Sequence, residues 1–280
     1  MIYKTEAIAK EFELYLTQKI LSYDKLPELY VIQIGDDFAS NRYIKHKKQK
    51  CDSLELNLVL KKFDFTVDPI IVENYIKSVS ITKPGIIIQL PVPAKFKYLI
   101  DTLDSKCDVD LLAPHSELYE SYGFLTPTIG AIDITLKKIL NSENIVFKDL
   151  MKQKLDLSQK KVAVIGQGKL VGKPLLSYLL ARGATIISIN KNTKSPQLLT
   201  NLADIVISAA GAHSLVNKDW IGENTIVIDA ATVELDGTLI GDVDKSDINQ
   251  DTVLCPSPGG IGRLTILYLI YNLLIFSKTF

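Results

Sequence analysis

Tyr43 and Lys47 stand four positions apart in the segment SNRYIKHKKQK. On a helix that spacing puts both side chains on one face. A tyrosine ring there can stack on a ligand ring, and the ammonium beside it can give or take a proton. Lys47 also belongs to a charge run with Lys45, Lys48 and Lys50, and such runs are usually solvated helix faces. A second polar residue stands out in GIIIQLPVP (85–93). Gln89 closes an apolar strand pattern at its C-terminal end, where open α/β sheets bind ligands. A buried glutamine needs hydrogen-bond partners; capping loose backbone at the strand end would satisfy it equally. In CDVDL (107–111) Asp108 and Asp110 alternate, so one carboxylate can enter a cleft while the other serves the fold.

The second candidate group is glycine-rich. Gly166, Gly168 and Gly172 lie in GQGKLVG, directly after an apolar strand and directly before the helical stretch KPLLSYLLARG. Backbone there can approach a pyrophosphate, and the helix N-terminus favours an anion. The spacing is G-x-G-x-x-x-G and also fits a plain strand–helix turn. The next strand, ATIISIN (184–190), runs into Asn190, Lys191, Asn192 and Thr193. An NAD site usually puts an acid at that strand end to hold the ribose 2′-hydroxyl. None is present, and Lys191 can meet a 2′-phosphate, so the reading is NADP, with NAD possible. Lys191 as an ordinary solvated loop residue is the alternative. CPSPGGIGRLT (255–265) places Pro258, Gly259 and Gly260 in a rigid loop before the last helix. It suits close approach to a ligand or a simple chain reversal.

These residues need a scaffold. Residues 5–22 carry Ile8, Phe12, Leu14, Leu16 and Ile20 at helical spacing. LYVIQIG (29–35), a helix over 40–54, NLVLKKFDF (57–65), a helix near 70–79 and PGIIIQLPVP (84–93) then alternate. Strand–helix–strand alternation predicts a parallel sheet. Past a linker at about 111–128, Ile129, Ile132, Leu136, Ile139 and Leu140 mark a long helix. KVAVIG (161–166), ATIISIN, ADIVISAAG (203–211) and NTIVIDAAT (224–232) repeat the strand–turn–helix unit of a doubly wound sheet. ELDGTLIGDV (234–243) reads as a hairpin turning at Asp236–Gly237.

Composition bounds the rest. The chain has 280 residues, 47% of them apolar, and equal numbers of basic and acidic residues give it no formal net charge. Two domains are expected, with no charge excess to recruit nucleic acid or an anionic membrane. Three scattered cysteines argue for a reducing compartment rather than a disulfide or zinc framework. The N-terminus is too charged for a secretory signal, and the apolar stretch 264–276 is shorter than the ~20 residues a bilayer span needs. The expected location is the cytoplasm.

Taken in order, Ser40-x-x-Tyr43-Ile44-x-x-Lys47, GIIIQLPVP, Asp108-Val109-Asp110, Thr126-Pro127, VIGxGxxVGxP (164–174), ADIVISAAG, the VID of 227–229 and PSPGGIG (256–262) resemble the bifunctional methylenetetrahydrofolate dehydrogenase/cyclohydrolase (FolD) family. The resemblance implies an α/β fold of two domains. A folate-binding catalytic domain would take 1–120, with the C-terminal helix 264–280 packed back on it. A doubly wound Rossmann domain would take 121–263, and the two would share one cleft. It implies NADP-dependent oxidation of 5,10-methylenetetrahydrofolate, then hydrolysis to 10-formyltetrahydrofolate. Catalysis would fall to Lys47, Gln89, Asp110 and Tyr43. Folate contacts would come from Tyr43, Gln89, Asp110, Pro258, Gly259 and Gly260. Cofactor contacts would come from Gly166, Gln167, Gly168, Val171, Gly172, Lys191, Ala210, Gly211 and Thr232. No metal is implied, and the hairpin implies a homodimer. The chain departs from the family at Gln167-Gly168, where Arg-Ser is usual. Phe124-Leu125 replaces Pro-Cys, Leu111 replaces glycine and Arg263 replaces proline. A cyclohydrolase without dehydrogenase activity, a shikimate-dehydrogenase-like enzyme and a binding protein without turnover stay open as alternatives.

Overall fold

The computed structural model describes residues 1–113, 124–141, 145–235 and 237–280. They form two compact units, the first of Glu13–Pro127 with Ile266–Phe280, the second of Met1–Phe12 with Thr128–Thr265. The sequence reading keeps residues 1–120 together; in the structure helix α1 (Glu6–Ile20) is divided, its first turns belonging to the second unit. The 120/121 boundary itself lies outside the described residues. Helix α1 buries Ile8, Phe12 and Leu16, while Leu14 is exposed.

The first unit is built on β1 (Leu29–Ile34), β2 (Leu58–Phe63) and β3 (Gly85–Ile88), all parallel in the order β2-β1-β3. Parallel neighbours require crossovers, here α2 (Phe38–Ser53) and α3 (Pro69–Ser80). The local signals for both are legible. Asp37 caps α2 by accepting from the Ser40 amide at 2.8 Å, and Asp68 caps α3 ahead of Pro69, which pre-sets the helical φ. Central β1 and its neighbour β3 are almost wholly apolar and buried, as expected where both faces are covered, whereas β2 on the opposite edge exposes Lys61 and Lys62. Ile32, Ile86, Ile88, Val72, Ile76 and Phe96 share one core. Each such side chain contributes roughly 1.5–3 kcal/mol when fully buried. The C-terminal helix, which we number after those of the second unit, packs directly on this sheet. A Cβ added at Gly85 would lie 2.4 Å from Leu273 Cδ1, so close approach explains that glycine.

A short helix, α4 (Tyr98–Asp101), follows β3. The second unit opens with α5 (Pro127–Leu140) and α6 (Phe147–Lys152). Its sheet then takes β4 (Lys161–Ile165), β5 (Thr185–Ile189), β6 (Ile205–Ser208), β7 (Ile226–Asp229) and β10 (Val253–Cys255), all parallel in the order β10-β7-β6-β4-β5. Helices α7 (Gly172–Ala181) and α8 (Pro196–Thr200) are crossovers. From β4 the chain steps outward to β5, then returns to β6 on the other side of β4. That reversal is a topological switch point, and the C-terminal end of β4 is where such sheets bind ligands. Helix α5 is apolar along Ile129, Ile132 and Leu136, but it also buries a Lys137–Asp133 ion pair at 2.7 Å; Tyr178 on α7 donates to the same carboxylate at 2.5 Å. The hairpin forms from β8 (Val233–Leu235) and β9 (Thr238–Ile240); Asp236 at its turn lies outside the described residues. The last helix, α9 (Gly262–Thr279), leaves this unit after Thr265 and packs on the first unit's sheet. Among the described residues no helix is long and apolar enough to cross a membrane.

Candidate active site

In the first unit the end of β3 and helix α2 converge. Lys47 Nζ donates to Gln89 Oε1 at 2.9 Å. Gln89 Nε2 donates to the Leu90 carbonyl at 2.9 Å, and Ser40 Oγ donates to that same carbonyl at 3.0 Å. Lysine can only donate, so the amide must turn its oxygen toward Nζ, and its NH₂ then meets the carbonyl. Gln89 therefore makes two contacts at once: it caps backbone at the strand end and it holds the lysine. The charge run divides according to geometry. Lys48 pairs with Asp52 at 3.7 Å and Lys50 with Glu13 at 2.6 Å, while Lys47 turns to Gln89.

The electrostatics of Lys47 differ from those of a surface lysine. Lys47 keeps some exposed surface as a residue, but its ammonium is closely surrounded by protein. That desolvation lowers its pKa from the ordinary lysine range, opposed by the negative charge of Asp110. Asp110 is raised by burial, with Lys47 pulling the other way. Neither charged form is fully supported, which makes the Lys47 ammonium easier to deprotonate than that of a surface lysine. Cys51, one turn along α2, is pushed up to about 12, chiefly by burial, so it stays a thiol. Tyr43 sits four residues before Lys47 with its side chain partly open to solvent.

The two aspartates take different roles. Asp108 is buried and folds the turn after it, accepting from the Ala113 amide at 2.8 Å. Burial raises it to about 7 against the lowering effect of these backbone donors. Asp110 is the one facing Lys47 electrostatically.

In the second unit Gly166 ends β4 with φ +101°, a conformation that favours glycine. A Cβ there would meet the Ala209 carbonyl at 2.5 Å, and one on Gly172 would meet the Gly166 carbonyl at 2.1 Å. Around Gly168 there is open space. A closed turn with one open position, ahead of a helix N-terminus, fits a dinucleotide pyrophosphate. Gln167 reaches the end of β5: its Nε2 donates to Ser188 Oγ at 2.8 Å and its Oε1 accepts from Asn190 Nδ2 at 3.3 Å. Lys191 follows, exposed. The remaining candidates, Val171, Ala210, Gly211 and Thr232, also fall at strand ends or the α7 start.

Two residues that sequence reasoning did not single out organise this end of the sheet. Asp242 is buried and accepts from Ser208 Oγ at 2.6 Å and from the amides of Ala210 at 2.8 Å and Ala212 at 2.7 Å. Asp229, at the end of β7, accepts from the amides of Asp242 at 3.2 Å and Val243 at 3.0 Å. Burial lifts Asp229 to about 6. The available signal was an acid closing an apolar strand, the pattern that marked Gln89. Pro258, Gly259 and Gly260 belong to this second unit, in a loop where Ser257 and Thr232 share a 3.1 Å hydrogen bond and Gly259 has φ +106°.

Models of two domains match this chain. The tetrahydrofolate dehydrogenase/cyclohydrolase catalytic domain matches residues 4–110, and the NAD(P)-binding domain of the same family matches residues 142–280. The chain belongs to the tetrahydrofolate dehydrogenase/cyclohydrolase family. It is 33% identical to the bifunctional protein FolD of Hydrogenobaculum sp., across 96% of this chain and 95% of that one. It is 30% identical to FolD of Mycoplasma capricolum, across 98% and 94%. The crystal structure of Campylobacter jejuni FolD superposes with a TM-score of 0.86 at 27% identity, across 99% and 98%. The lysine, glutamine and second aspartate lie within the span matched by the family's catalytic domain, and the glycine turn lies within the NAD(P)-binding span.

Proposed function

We propose that this chain oxidises 5,10-methylenetetrahydrofolate to the 5,10-methenyl form with NADP, then hydrolyses that product to 10-formyltetrahydrofolate, two steps of one-carbon metabolism. The observation that carries the reading is the Lys47–Gln89 hydrogen bond inside a matched catalytic domain.

Hydrolysis is the step in which Lys47 matters most. Water adds to the methenyl carbon and loses a proton to Lys47. The bond from that carbon to N5 then breaks, its electron pair returning to N5, which takes a proton. The water oxygen stays on that carbon, which remains bonded to N10, and becomes the formyl oxygen as its hydroxyl gives up the second proton, matching the one N5 takes; Lys47 returns its own proton to solvent. A lowered lysine pKa raises the neutral fraction able to accept that proton. Gln89 holds the amine in place without adding a charge. Tyr43 stacks on the folate ring system. Asp110 accepts hydrogen bonds from the pterin, and Pro258, Gly259 and Gly260 complete the folate contacts.

When bound, NADP supplies the hydride acceptor. The residues that would hold it are Gly166, Gln167, Gly168, Val171, Gly172, Lys191, Ala210, Gly211 and Thr232. Their task is alignment of the substrate's methylene carbon. NADP is favoured over NAD by Lys191 and by the lack of an acid at Asn190–Thr193. The chain works in the cytoplasm as a homodimer paired through the β8–β9 hairpin, whose Leu235 is exposed. A monomer by light scattering overturns the pairing.

The test is purified protein with 5,10-methylenetetrahydrofolate and either NADP or NAD, following reduced cofactor and the methenyl form. Reduction together with hydrolysis faster than buffer supports the reading. Hydrolysis alone points to a cyclohydrolase whose Gln167-Gly168 turn has lost the cofactor, and neither activity sinks the proposal.

A further inference from the structure

Asn272 is a wholly buried amide among apolar neighbours on α9. Its Nδ2 donates twice, to the Val109 carbonyl at 3.0 Å and to the Leu125 carbonyl at 2.9 Å. The amide orientation is fixed by chemistry, since turning it over would set Oδ1 against two carbonyl oxygens. A leucine of similar size would bury well at this position. The amide is therefore explained by what it holds.

Val109 lies between the two aspartates. The turn around it is held from several sides. The Ile86 amide donates to the Cys107 carbonyl at 2.7 Å, and the Leu111 amide to the Asp108 carbonyl at 3.2 Å. The Ala113 amide donates to the Asp108 carboxylate at 2.8 Å, and Asn272 takes Val109. Leu111 stands at φ +57°, a left-handed conformation that is strained for a residue with a side chain. A turn strained in this way relies on its clamps. The side chain it presents between Val109 and Leu111 is Asp110, the electrostatic counterpart of Lys47.

We infer that Asn272 is a positioning residue: through the Val109 carbonyl it sets where Asp110 stands relative to Lys47, so the last helix takes part in holding the folate. This rests on the proposed function, in which Lys47 and Asp110 do the work.

The experiment compares Asn272→Leu, which keeps the volume and removes both donors, with Asn272→Ser, which restores one donor, and with Lys47→Ala. Thermal melts establish that each variant folds. Readouts are the dissociation constant for NADP, KM and kcat for methenyltetrahydrofolate hydrolysis, and the pH–rate profile. For Asn272→Leu we expect kcat/KM to fall about 10- to 100-fold, mostly through KM, with a displaced pH profile and unchanged NADP affinity. Asn272→Ser recovers part of the loss; if Asn272→Leu does not fold, the same split in Asn272→Ser decides. A lowered melting temperature with wild-type KM, kcat and pH profile makes Asn272 purely structural and overturns the inference. Lys47→Ala with unchanged hydrolysis instead overturns the functional reading beneath it.

Discussion

Lys47 Nζ meets Gln89 Oε1 at 2.9 Å across 42 positions of sequence, joining helix α2 to the end of β3. The acceptor is neutral, and that choice matters. A carboxylate in its place would favour the ammonium form and reverse the effect of burial, which lowers the Lys47 pKa. Gln89→Glu should therefore raise the Lys47 pKa, by roughly 1–3 units for an adjacent opposite charge. The limb of the hydrolysis pH profile that reports loss of the lysine proton moves to higher pH, and the rate near neutrality drops. An unmoved profile in Gln89→Glu would mean that Lys47 is not the titrating group.

Lys47→Ala removes the proton acceptor itself. Hydrolysis should fall by about 10²–10⁴, the usual range for a positioned acid–base group. NADP binding should stay as in the wild type, because Lys47 is in the first unit and the glycine turn in the second. Single-turnover hydrolysis and a cofactor titration separate the two effects. Loss of both at once would point to a folding defect rather than to lost chemistry.

Much of this was legible in advance because two signals are local. Apolar runs ending in glycine gave the parallel strands, and i to i+4 spacing put Tyr43 and Lys47 on one helix face. The charge run around Lys47 could not be sorted by sequence, since only the fold decides that Lys50 meets Glu13 and Lys47 meets Gln89. The roles of Asp108 and Asp110 are likewise open in the sequence, and their partners separate them: the Ala113 amide for Asp108, Lys47 for Asp110. Strand β10 has no pattern of its own in the sequence, because only Val253–Cys255 pair before Pro256. Asp242 and Asn272 left no signal of their own. Their partners are mostly backbone groups far along the chain, which side-chain pattern does not record.

The glycine turn makes a contrasting pair of predictions. Gly172→Ala would put a methyl 2.1 Å from the Gly166 carbonyl, a contact that backbone cannot absorb without moving the turn. Gly168→Ala meets nothing within 4 Å. Gly172→Ala should abolish measurable NADP binding and dehydrogenase activity while hydrolysis, which rests on Lys47, persists. Gly168→Ala should leave the apo protein's melting temperature unchanged, and any loss of NADP affinity would then report the ligand's own approach to that open position. Equal behaviour of the two variants in cofactor titrations would remove the turn from the binding site.

Asp108 makes stability depend on pH in a direction opposite to that of a salt-bridged carboxylate. Its unfolded value is about 3.9, and burial lifts it to about 7 in the folded protein. Between those values the folded state binds more protons than the unfolded one, so stability falls as pH rises through this window and levels off above it. The slope is at most about 1.4 kcal/mol per pH unit, and Asp229, raised to about 6, acts the same way in the second unit over a narrower range. Asp108→Asn keeps an oxygen for the Ala113 amide and removes the titration. The melting temperature of the variant relative to wild type should therefore climb from pH 4 to pH 7 and stay constant beyond it, read by melts of both proteins across that range. A difference that does not change with pH would show that Asp108 remains ionised throughout, and that its backbone donors outweigh its burial.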